Sequence, residues 1–95
     1  MSQIKEWYRN GQRHRDNDLP AVDKQGEVQE WWLNGQRHRD NDFPAVIYAY
    51  GTQEWWVNGQ RHRSGNPAIV NADGSKLWYL NGNLHREDGP AIESE

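Results

Sequence analysis

Trp31-Trp32-Leu33-Asn34-Gly35-Gln36-Arg37-His38-Arg39-Asp40-Asn41-Asp42-Phe43-Pro44-Ala45-Val46 is the stretch that decides the fold. Asn-Gly between residues of high β-propensity is the strongest short-range hairpin signal, because a type I′ turn needs φ > 0 at both central positions. A two-residue turn at Asn34-Gly35 sets Trp32 opposite Arg37, Trp31 opposite His38 and Glu30 opposite Arg39, with alternate pairs on opposite faces. Beyond a loop of turn-forming residues, Pro44 opens a second strand, where its missing N–H is tolerated.

The same pattern occurs four times. The first Trp recurs as Trp7, Trp31, Trp55 and Trp78; Asn-Gly recurs at 10–11, 34–35, 58–59 and 81–82; His-Arg recurs at 14–15, 38–39, 62–63 and 85–86. Pro-Ala recurs at 20–21, 44–45, 67–68 and 90–91, and the copies, counted from the first Trp, span 7–30, 31–54, 55–77 and 78–95. All four histidines and all four prolines fall in register with the repeat, which marks them as structural parts of it. The His-to-Pro step is one residue shorter in the last two copies, so the indel lies in the loop. No window carries apolar residues at the i, i+3, i+4 spacing of a helix. The expected fold is all-β: one domain over 1–95, an antiparallel hairpin meander of about seven or eight short strands with little or no helix.

Composition narrows the function classes. The chain has 95 residues and is only 34% hydrophobic, against ~45–50% in typical globular chains, so its six tryptophans must fill the core. The absence of cysteine rules out disulfides and thiolate metal sites. A net charge of −3 argues against duplex nucleic acid as the main ligand. No apolar run approaches the ~18 residues of a membrane span, and Met1 to Glu6 lacks the apolar stretch of a signal peptide, so the expected location is cytoplasmic with no membrane partner.

The hairpin register divides the side chains into two sets. Trp7 with His14, Trp31 with His38, Trp55 with His62 and Trp78 with His85 form the face that does not vary, which is read as packed and structural, each imidazole hydrogen-bonding a loop. Tyr8 with Arg13, Trp32 with Arg37 and Trp56 with Arg61 form the other, half-exposed face, where a guanidinium stacked on a ring contributes ~0.5–1 kcal/mol. Equivalent histidines lie ~10 Å or more apart at two strands per repeat, too far to share one metal ion. The acidic loops Asp16-Asn17-Asp18 and Asp40-Asn41-Asp42 offer oxygens but no bidentate acid at the spacing calcium requires, so they are read as Asx-type turns. Ser2, Ser64 and Ser75 occupy a tail and two turns, with no nucleophile motif around them. No metal, no cofactor and no enzymatic activity are expected.

The fourth copy, Trp78-Tyr79-Leu80-Asn81-Gly82-Asn83-Leu84-His85-Arg86-Glu87-Asp88-Gly89-Pro90-Ala91, resembles the Trp-Tyr-x-Asn-Gly-x-x-His-Arg-x-Asp-Gly-Pro-Ala repeats of bacteriophage and giant-virus proteins, which are related to variant MORN repeats. The first two copies depart from that pattern at the loop. The resemblance implies stacked β-hairpins, a phage or viral origin and service as a binding scaffold. The leading expectation is therefore a protein-binding module, a small phage-encoded inhibitor that sterically blocks a host defence or nucleic-acid-processing complex in the manner of anti-CRISPR proteins. Its partner-binding residues would be Tyr8, Arg13, Trp32, Arg37, Trp56 and Arg61, with Asp16, Asp18, Asp40 and Asp42 meeting a basic surface. Two alternatives stand beside it: a self-associating structural protein of a virion or tail, a homodimer included, and a single-stranded nucleic acid or glycan binder using the aromatic row that Tyr79 completes.

Overall fold

The computed structural model describes residues 3–94. Met1, Ser2 and Glu95, which the single-domain expectation includes, lie outside the described residues. In chain order the strands are β1 (Ile4–Glu6), β2 (Tyr8–Arg9), β3 (Gln12–Arg13) and β4 (Val22–Lys24), then β5 (Val28–Glu30), β6 (Trp32–Leu33), β7 (Gln36–Arg37) and β8 (Val46–Tyr48). The second half repeats the order with β9 (Gln53–Glu54), β10 (Trp56–Val57), β11 (Gln60–Arg61) and β12 (Ile69–Val70), then β13 (Lys76–Leu77), β14 (Tyr79–Leu80), β15 (Asn83–Leu84) and β16 (Ile92–Glu93). Eight of them form one antiparallel sheet in the order β1-β4-β5-β8-β9-β12-β13-β16, and the remaining eight pair as four small hairpins. The all-β hairpin meander is as the sequence leads one to expect, and no helix occurs among the described residues.

There are sixteen strands where about seven or eight are expected, and four of the extra ones arise because each Trp strand is broken at its Trp. Trp7 donates its N–H to Ala21 in the large sheet at 2.8 Å, while its C=O accepts the His14 N–H of the hairpin at 3.1 Å. Trp31, Trp55 and Trp78 repeat both bonds. Each Trp is thus the joint between the sheet and a hairpin that projects from it.

The joint limits how far the hairpin register extends. Tyr8 faces Arg13, Trp32 faces Arg37 and Trp56 faces Arg61. Beyond the Trp the expected pairing of Glu6 with Arg15, Glu30 with Arg39 and Glu54 with Arg63 does not form, because the strand has already passed into the large sheet. Glu6 faces Val22, Glu30 lies between Val22 and Val46, and Glu54 between Val46 and Ile69.

The turns explain themselves. Asn10, Asn34, Asn58 and Asn81 have φ of 50–51°, each followed by a glycine at 77–84°, the conformation of a type I′ turn. In the first two long loops Asn17, Asp18, Asn41 and Asp42 all adopt positive φ, and the shorter third loop places Gly65 there instead. The core lies where Pro-Ala meets the Trp joints: Ala21, Ala45 and Ala68 are fully buried with Val22 and Val46, under Trp31, Trp55 and Trp78. Burying each valine contributes ~1.5 kcal/mol or more.

Candidate functional site: an arginine and aromatic stripe fastened by inter-repeat bonds

The half-exposed face of the hairpins is a single alternating stripe. The Arg13 guanidinium sits 5.3 Å from the Trp32 ring of the next repeat, Arg37 lies 5.1 Å from both Trp32 and Trp56, and Arg61 lies 4.9 Å from Trp56 and 5.5 Å from Tyr79. Arg37 and Arg61 are thus inserted between consecutive rings, and Arg13 reaches the ring of the next hairpin. A carboxylate at the foot of the stripe fixes each arginine: Glu6 to Arg13, Glu30 to Arg37 and Glu54 to Arg61, at 3.3–3.6 Å. The same glutamates accept from the aromatic side chains, Glu30 from Trp32 Nε1 and Glu54 from Trp56 Nε1 at 2.9 Å, and Glu6 from the Tyr8 hydroxyl at 3.3 Å. The structure brings Tyr8, Arg13, Trp32, Arg37, Trp56 and Arg61 together as one surface.

The acidic residues are placed differently from a free docking loop. Asp16 and Asp40 each accept from the Nε2–H of their own histidine, His14 and His38, at 2.7 Å. That bond is the main cause holding the Asp16 carboxyl below its ordinary range. Asp18 and Asp42 reach forward one repeat and form two-pronged ion pairs with Arg39 and Arg63, at 2.9 and 3.3 Å. Their carboxylates are therefore employed within the stack, although their outer edges stay exposed.

The histidines are fasteners between repeats. His14 Nδ1 accepts the backbone N–H of Asn34, His38 that of Asn58 and His62 that of Asn81, at 2.9–3.0 Å. Since Nδ1 accepts, the proton of the neutral ring is on Nε2, which is the atom that donates to Asp16 or Asp40. Both ring nitrogens of His14 and His38 are engaged, so neither imidazole has a lone pair available for proton transfer. Among the described residues no group of three or more His, Asp or Glu side chains is arranged to hold a metal ion.

The residues that sequence reasoning placed wrongly are the arginines after the histidines. Arg15, Arg39, Arg63 and Arg86 lie flat over Trp7, Trp31, Trp55 and Trp78 at 3.7–3.9 Å, closer than any guanidinium of the stripe. Each also donates to the C=O of its repeat's proline, Pro20, Pro44, Pro67 or Pro90. Their recurrence in all four copies was the available signal. Pairing them with glutamate across an unbroken strand concealed it. Tyr48 and Tyr50, which belong to one copy only, add a stacked pair with ring centroids 5.1 Å apart. Burial, followed by the Glu54 carboxylate, pushes the Tyr48 hydroxyl above its usual range.

Clefts open between successive loops. They have volumes of about 230, 320 and 390 Å³ and are lined by consecutive His-Arg loops and the Trp of the later repeat. No family model, curated protein or solved structure matches the chain.

Proposed function

We propose that the chain is a non-enzymatic protein-binding module whose contact surface is the stripe from Tyr8 to Tyr79. The observation that supports this reading is the way Arg13, Arg37 and Arg61 are held over the rings and by Glu6, Glu30 and Glu54. Tryptophan, tyrosine and arginine dominate interface hot spots, and ordering them within the fold lowers the entropy lost on binding, ~0.5–1.5 kcal/mol per immobilised side chain. The insertion of arginines between the rings also weighs against single-stranded nucleic acid, because the ring faces on which bases would stack already carry guanidinium groups. On this reading the chain inhibits by occupying a partner's surface, and the finer proposal is a phage-encoded blocker of a host nucleic-acid-processing or defence complex. Capture from bacterial lysate on immobilised chain tests it. The wild type is expected to retain a defined protein that the Tyr8→Ala/Arg13→Ser variant, with unchanged circular dichroism, releases. Equal retention by both proteins, or retention by neither, would sink the proposal.

A further inference from the structure

Four bonds donated by backbone amides recur at all three internal junctions, while the Asp-to-Arg ion pair occurs at the first two. The later repeat gives its Asn N–H to the earlier histidine and its Gly N–H to the C=O of Arg13, Arg37 or Arg61, the latter at 2.9 Å. The earlier repeat gives the N–H of Arg15, Arg39 or Arg63 to the C=O of Trp32, Trp56 or Tyr79, and the N–H of Ala21, Ala45 or Ala68 to the C=O of Glu30, Glu54 or Leu77, the last residue of the strand that leads into the later repeat's Trp.

The two ends of the stack carry the two halves of that junction. Repeat one, with the strand that leads into it, presents the N–H groups of Asn10 and Gly11 and the C=O groups of Tyr8 and Glu6 at the positions the later repeat uses. Repeat four presents His85 Nδ1, the Leu84 C=O and the N–H groups of Arg86 and Ala91 at the positions the earlier repeat uses. Among the described residues none of these groups has a partner in a neighbouring repeat.

Three side-chain features point the same way. Ile92 is 51% exposed whereas its equivalents Val22, Val46 and Ile69 are buried; Leu84 is also exposed at this end, and Ile4 and Tyr8 are exposed at the other. Arg15 lies on Trp7 and bonds Pro20, but lacks the carboxylate that Arg39 and Arg63 take from the preceding repeat. Asp88 stands two residues before Pro90, as Asp18 does before Pro20; within the chain it pairs with Arg86 at 3.1 Å but stays 87% exposed, with its outer edge open to a second arginine. Carrying the internal register of Val22 with Glu30 and Asp23 with Gln29 across the gap sets Ile92 opposite Glu6 and Glu93, whose carboxylate also pairs with Arg86, opposite Lys5, a cross-strand pair of opposite charge.

We propose that copies of this chain join head to tail, repeat four of one against repeat one of the next, continuing the eight-stranded sheet with the internal junction. The two patches are different, so the contact is heterologous and grows into open linear oligomers without closing as a symmetric dimer. Of the stripe proposed to bind a protein partner, Tyr8 also lies at this junction, and the two proposals are tested by different substitutions.

Sedimentation velocity of the wild type from about 10 µM to about 1 mM tests the association by mass action. The mean mass is expected to rise steadily from the 11.2 kDa monomer past the dimer. A mass that stays at the monomer, or that stops at a dimer, overturns the proposal. Two blocked variants test its polarity, Ile4→Glu/Lys5→Glu at one end and Leu84→Glu/Ile92→Glu at the other, with substitutions at exposed edge positions. Each alone is expected to remain a monomer, and their equimolar mixture to form a dimer and nothing larger. Association of either variant alone to the wild-type extent would overturn the head-to-tail geometry.

Discussion

Arg39 shows how much one side chain of the repeat does. It lies 3.8 Å above Trp31, donates to the Pro44 C=O at 3.0 Å, and grips Asp18 of the previous repeat with two nitrogens. The aspartate end is half exposed, so solvent screens that pair, and Asp18→Asn is expected to cost only about 0.5–1 kcal/mol. Arg39→Lys should cost more, about 1–2 kcal/mol, because an ammonium neither lies flat on the indole nor reproduces the guanidinium's several directed hydrogen bonds. Urea unfolding of the two variants checks the order, and a larger loss for Asp18→Asn would contradict it. Asp16 gives the pH dependence at this scale. Its carboxyl is held below the ordinary value of 3.8 chiefly by the His14 hydrogen bond. The stability it adds is therefore complete above that ordinary value and is lost as pH falls through the lower folded one. Asp16→Asn is expected to flatten the acid side of the stability curve; an unchanged acid limb would argue that the His14 contact adds nothing.

At the scale of the element, the hairpin was legible in the sequence and the joint was not. Asn34-Gly35 fixes φ and register within a few residues, which is why Trp32 opposite Arg37 and Trp31 beside His38 follow directly from reading outward from the turn. The same reading fails at Glu30, one step past Trp31, because whether a strand continues or changes sheet depends on Ala45, fourteen residues later. The fastening of repeats was hidden for the same reason. Asn34 meets His14 at a separation of twenty residues, and Arg39 meets Asp18 at twenty-one. Within one copy the histidine looks like the partner of its Trp, and only the stack shows that it bonds the next copy. The turn itself yields a prediction. Gly11 and Gly35 have φ of 77° and 80°, so alanine at either should cost about 1–2 kcal/mol from left-handed backbone strain. A Cβ at Gly11 meets nothing within 4 Å, whereas at Gly35 it stands 3.4 Å from the Gln12 side chain. Thermal unfolding should therefore rank Gly35→Ala at or below Gly11→Ala, with both clearly under the wild type. If either alanine left stability unchanged, the turn conformation would be wrong.

For the molecule as a whole, the low hydrophobic content is explained by where stability is placed. The described chain measures 40 × 29 × 18 Å, a thin stack in which few side chains are fully enclosed. Small alanines, two valines and the Trp joints form its core, and the rest of the cohesion comes from bonds repeated between neighbours. In such an architecture stability is close to a sum of repeat and junction contributions, so the junctions decide whether the chain behaves as one body. The stripe inherits its order from them, because Arg37 bridges Trp32 and Trp56 only while repeats two and three stay in register. Four asparagine amides in one molecule report on this directly. Asn34, Asn58 and Asn81 each donate to a histidine of the preceding repeat, and Asn10 begins the first hairpin with no described repeat before it. Amide hydrogen exchange, followed by NMR at a dilution where the chain is monomeric, is expected to find Asn34, Asn58 and Asn81 protected and Asn10 exchanging rapidly. Four amides exchanging at one common rate would contradict the fastened stack.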